Sequence, residues 1–270
     1  MVKKLLKYEF SFYYKRMLPL FLVVLGTALL NRITQFFEAD TSSYRILFGS
    51  SVVLLVVASL AAVIGVIVIA VSRYYKNMFA NEGYLTLSLP VTSEQHLVSK
   101  LTAAFLWSVF TGICVLLGIA VATAGDVFAE LMKAGFYMVR KVVWPAVHGN
   151  TIGYGIEFLL ALITASVKVI LLCYACLSIG QRAKKNRIGL SVGCFFIYYF
   201  ACQILGTISV ILVTILAQSP LMEKLLKFLE ENTILCLHLG AGFVILWNLC
   251  FAAVYFLISN HILKKKLNLE

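Results

Sequence analysis

One ionisable side chain stands at the middle of a long apolar run: Lys168, within Phe158–Ile179. A central lysine costs about 2.5–3.5 kcal/mol on bilayer insertion scales. It must therefore face a wet cavity or a subunit interface, or snorkel along its stem. A cavity-facing ammonium would attract an anionic substrate, whereas a snorkelling one would have no chemical role. The apolar runs hold no Asp or Glu to pair with it. A missing chain of acids and histidines argues against a proton- or sodium-coupled pump.

The remaining candidates for chemistry are sparse. Cys173 and Cys176 form a C-x-x-C, but inside the same apolar run as Lys168, where they read as polarizable packing residues. None of the seven cysteines lies in a long polar loop, so no disulfide framework is implied. His96, His148, His238 and His261 lack metal-ligand spacing. Glu230-Glu231 is a lone acid pair, and Gly49-Ser50-Ser51 is not the motif of an intramembrane serine protease. Nothing resembles a G-x-x-x-x-G-K-[ST] phosphate loop. The sequence assigns no catalytic residue, no metal ligand and no cofactor to this chain, and it reads as no enzyme.

The elements that would position Lys168 are membrane spans. Of 270 residues, 61% are hydrophobic and 13% charged, with a mean hydropathy of +0.95. Soluble chains run nearer 45–50% apolar and about 25% charged. A spanning helix needs roughly 20 apolar residues, and six runs are candidates: Met17–Ile33, Ile46–Val71, Leu101–Ala124, Phe158–Ile179, Ile188–Ala217 and Thr233–Ser259. The expected fold is all-α and polytopic, residues 1–270 forming one six-helix domain. Ala58, Ala62 and Gly65 share a face of the second run, and Gly189 and Gly193 form a G-x-x-x-G, both suited to close helix packing.

Net charge is +11, which alone would suit nucleic acid, but its distribution points to a membrane. Fifteen Lys and Arg fall on one side, in the N-terminal segment, the second-to-third and fourth-to-fifth connections and the C-terminal tail; seven fall on the other. By the positive-inside rule both termini are cytoplasmic. Asp126, Glu130, Glu157, Glu223, Glu230 and Glu231 fall in the outer connections.

Residues 2–17 suit an interfacial helix, with Val2, Leu6, Phe10, Tyr13, Tyr14 and Met17 on one face and Lys4, Lys7, Ser11 and Lys15 on another. A plain basic flank is the alternative. The outer loop 125–157 contains a helical pattern near Val127–Val143 and a Gly-rich return, and 219–232 has helical spacing.

The connection 72–100, SRYYKNMFANEGYLTLSLPVTSEQHLVSK, is distinctive. Tyr74, Tyr75, Met78 and Phe79 offer an aromatic surface, and Gly83 permits a turn. Leu85, Leu87 and Leu89 alternate with Thr86 and Ser88 until Pro90, after which Thr92 or Ser93 can cap the next helix. Such a loop suits docking on a soluble partner; it equally suits an ordinary re-entry turn.

The segment YYKNMFANEGYLTLSLPVTSEQHLVSKL resembles the first cytoplasmic loop of type-2 ABC exporter permeases of Gram-positive bacteria. CYACLSIGQRAKKNRIG, the tail ISNHILKKKLNLE and the opening KKLLKYEF are also similar to that family, although Ala175 and Cys176 stand where a small Ser often appears. The resemblance implies a type-2 ABC exporter membrane-domain fold in a bacterial plasma membrane, with an amphipathic N-terminal helix. A second permease copy or paralogue would complete the pathway. A separate ABC ATP-binding subunit would carry ATP and Mg and dock on the first cytoplasmic loop. The coupling residues it implies are Tyr75, Phe79, Glu82, Gly83, Tyr84, Leu85, Thr86, Leu89 and Pro90, with Gln181 to Arg187 as a minor contact. The competing reading is a non-transporting membrane interaction, sensor or immunity protein; neither involves nucleic acid.

Overall fold

Long apolar stretches without interior acids fold as helices, because a helix satisfies every backbone group within itself. The computed structural model describes residues 2–37, 42–80, 83, 91–124, 126–138, 140–141, 151–183, 186–216, 224, 227–228 and 232–265. The described residues form seven α-helices: α1 (Val2–Phe36), α2 (Ser42–Phe79), α3 (Ser93–Ala122), α4 (Asp126–Met138), α5 (Thr151–Gly180), α6 (Arg187–Leu216) and α7 (Thr233–Lys265). All except α4 are long and apolar enough to cross a membrane. The chain is a polytopic, all-helical membrane protein among its described residues.

Several boundaries differ from the sequence reading; α5 starts at Thr151 rather than Phe158, and α7 runs to Lys265 rather than Ser259. Residues 2–17 are not a separate element: α1 runs unbroken for 35 residues with Pro19 inside it. Proline lacks the N–H that residue 15 would accept, yet α1 keeps one buried stripe through it: Glu9, Tyr13, Met17, Val24, Ala28 and Asn31. That i, i+4, i+7 spacing presents one face to neighbours along its whole length. Helix α2 extends eight residues past Val71, to Phe79. At 38 residues it is about 57 Å long, nearly twice a hydrocarbon core of about 30 Å.

The chain divides into two compact units, 1–142 and 143–270. In the first, α1, α2 and α3 pack mutually. The small residues serve as expected: Ala58 and Ala62 of α2 lie against Val24 and Cys114, and a Cβ on Gly65 would stand 2.8 Å from Leu20 Cδ1. At the Phe36 end, Asn31 Nδ2 donates to Ser51 Oγ at 2.9 Å, and Gln35 Nε2 donates to Ala122 O at 2.7 Å. The last carbonyls of α3, which no helical N–H can reach, thus gain a side-chain donor.

In the second unit, α5 packs against α6 and α7. The α5–α6 turn is tight. Asn186 adopts φ 56°, a left-handed geometry that asparagine tolerates. A Cβ on Gly180 would fall on the Ser191 hydroxyl and 2.7 Å from Arg187 O. Gly189 lies against the Asn186 side chain, but Gly193 meets nothing within 4 Å, so the G-x-x-x-G does not act as a paired packing motif within this unit. The helix expected near Val127–Val143 is α4, three turns long. In 219–232 only Lys224, Lys227, Phe228 and Asn232 are described, and of the Gly-rich return only Thr151 onward.

Candidate functional site

Both stems of the 80–92 connection converge on one carboxylate. Glu9 projects from the buried stripe of α1 and is 6% exposed. Its Oε1 accepts from Lys100 Nζ at 2.6 Å, and its Oε2 accepts from Arg73 Nε at 3.0 Å. Arg73 belongs to the last turns of α2 and Lys100 to the start of the third turn of α3. One acid of α1 therefore ties the helix entering the connection to the helix leaving it. The carboxylate thus holds two cations at once, at a site where Lys100 is only 3% exposed. Such a buried arrangement holds because each oxygen has its own charged donor.

Aromatic rings surround this cluster. The Arg73 guanidinium lies 4.0 Å from the Phe12 ring centroid and Arg16 lies 3.5 Å from it, within cation–π range. Tyr13 stacks on Trp107 of α3 at 6.2 Å and 10°, and Phe10 meets the same indole at 5.6 Å. These contacts pack the first third of α1 on the middle of α3. The Thr92 side chain accepts from Gln95 N, and Thr92 O accepts from His96 N. That is the N-cap the sequence led one to expect.

The predicted coupling residues divide sharply. Glu82, Tyr84, Leu85, Thr86, Leu89 and Pro90, with the alternating segment, lie outside the described residues. Gly83 donates its N–H to Ala80 O at 2.7 Å. The aromatic surface expected from Tyr74, Tyr75, Met78 and Phe79 is corrected: Tyr74, Met78 and Phe79 are buried, and only Tyr75 keeps a partly exposed ring. Tyr74 and Phe79 meet edge to face at 5.6 Å. Because this segment continues α2 rather than looping, its apolar side chains pack inward.

Lys168 is not alone. Its Nζ donates to Asn248 Oδ1 of α7 at 2.6 Å. Toward the Thr151 end of the same seam, Glu157 Oε1 lies 2.6 Å from His238 Nδ1, and the Tyr154 ring stacks on that imidazole at 4.3 Å and 13°. Glu157, expected in a loop, is the seventh residue of α5.

Sequence reasoning missed Glu9, Lys100's burial and Asn248. Glu9 had a signal: it stands between Leu6 and Tyr13 on the apolar face of the N-terminal helix, where an acid needs a partner. Asn248 had one too, as a lone carboxamide in a long apolar run. Lys100 offered none, since only the fold shows that α1 covers it. Compared with protein-family models, curated proteins and solved structures, the chain matches none.

Proposed function

We propose that this chain is the permease subunit of an ATP-binding cassette exporter, forming a substrate pathway with a second copy or paralogue. A separate ATP-binding subunit hydrolyses the nucleotide. The observation that carries the reading is the segment Tyr74–Leu101, whose residues resemble the coupling loop of type-2 exporter permeases. Six long apolar helices suit that role. The Glu9 cluster adds a physical route: displacement of the connection is delivered to α1, α2 and α3 together, because one carboxylate holds both stems. Both termini and the connection 80–92 would then be cytoplasmic, as the charge asymmetry suggests. The free energy for such a change must come from nucleotide on the partner, which binds the two arrangements differently.

The combined substitution Gly83→Val and Tyr84→Ala tests this assignment. The double variant should insert normally and still purify, while the partner's ATPase no longer responds to the membrane subunit. An ATPase response equal to that of the unaltered protein, with normal insertion, would remove 80–92 from the coupling role.

A further inference from the structure

We infer that Lys168 and Asn248 form a membrane-embedded site for the anionic group of an amphiphile, a phosphate or carboxylate. The site does not depend on the exporter reading, since it belongs to this chain alone. Lys168 sits about midway along α5, and among the described residues its polar partner is the Asn248 amide oxygen at 2.6 Å. A neutral amide orients an ammonium without neutralising it. Among the described residues one of its three N–H bonds is occupied, leaving two donors in a medium that penalises unpaired polar groups.

The first unit shows how this protein treats buried cations it holds permanently: Lys100 and Arg73 receive the Glu9 carboxylate. Lys168 receives none among the described residues. The nearest acid along its helix, Glu157, is engaged with His238 and lies about 16 Å away along the axis. Thr164, one turn before Lys168, spends its hydroxyl on the Leu160 and Ala161 carbonyls. Asn248 is 4% exposed, whereas Lys168 is half-buried, so the charged member of the pair is the accessible one. A strut between α5 and α7 could be made from two neutral side chains without the cost of desolvating a charge. What the lysine adds is an unneutralised positive charge, and its complement is an anion.

The test measures binding of phosphatidylglycerol, dodecyl phosphate and phosphatidylcholine to the full purified chain in neutral detergent, by native mass spectrometry and thermal shift. Surface lysines also attract anionic lipid, so the thermal shifts are read at ~1 M salt, where screening acts within about 3 Å. Lys168→Met should bind at least one anionic probe about tenfold more weakly, with phosphatidylcholine unchanged, as expected for losing a charge-assisted contact. Lys168→Arg should retain it. Asn248→Asp, which supplies an internal counter-ion, should keep the fold and lose the anion preference. That variant keeps the test decisive if Lys168→Met fails to fold. Loss confined to phosphatidylglycerol assigns the site to a lipid headgroup; loss that includes dodecyl phosphate assigns it to anionic amphiphiles generally. Unchanged anion binding in a folded Lys168→Met or Asn248→Asp protein overturns the inference and leaves a strut.

Discussion

Glu9 is the residue that joins the two stems of the 80–92 connection, for which coupling is proposed. Its carboxylate is buried between two cations from different helices, so Glu9→Gln keeps the shape and removes the charge both were holding. Breaking a buried pair on one side costs about 3–5 kcal/mol; destabilisation of that order is expected, read as a lowered thermal midpoint in detergent. Exchanging the charges with Glu9→Lys and Lys100→Glu should restore part of the loss, because the Oε1 contact is remade while Arg73 then faces a like charge. A Glu9→Gln protein as stable as the original would show that Arg73 and Lys100 are held elsewhere. The sequence announced an acid on an apolar face at this position, but it could not name the partners. Arg73 and Lys100 lie 64 and 91 residues away, and only folding brings them to α1.

At the scale of the element, periodicity was informative where a helix has one buried face and misleading where an element's end had to be placed. The apolar face drawn for 2–17 holds in part: Tyr13 and Met17 are fully buried on it and Leu6 and Phe10 partly so, but Tyr14 is exposed. The break after it was not real, since a proline within a tightly packed helix need not end it. The same cause lengthened α2: Arg73 and Lys76 marked a polar boundary, but Tyr74, Met78 and Phe79 at helical spacing had an inward face to fill. Thr92, by contrast, was legible because capping chemistry is local. The α5–α6 turn gives the sharpest element-scale prediction. Gly180→Ala places a methyl on the Ser191 hydroxyl and the Arg187 carbonyl, and the backbone atom cannot yield as a flexible side chain would. A loss of about 1–3 kcal/mol is expected for overpacking, measurable as a lower thermal midpoint. The double variant Gly180→Ala with Ser191→Ala should recover only the part owed to the hydroxyl. No loss in the single variant would mean the turn opens at little cost.

For the whole molecule, composition and run length were enough to identify a polytopic helical membrane protein, because the bilayer permits so few ways of satisfying a backbone. Division into two three-span units is a property of packing that run lengths do not encode. Function is carried by a different kind of signal. The proposed exporter role rests on the segment Tyr74–Leu101, whose middle lies outside the described residues, together with the stems that Glu9 ties. The Lys168–Asn248 pair gives the second unit a chemical feature of its own. The measurement that tests the central claim most directly is purification of this chain from its native membrane, with every co-eluting subunit identified and quantified by mass spectrometry. The account predicts an ATP-binding cassette subunit in roughly equal amount to the membrane chain, lost when Gly83→Val and Tyr84→Ala are combined. Elution of the chain alone, or with a partner that binds no nucleotide, would contradict it.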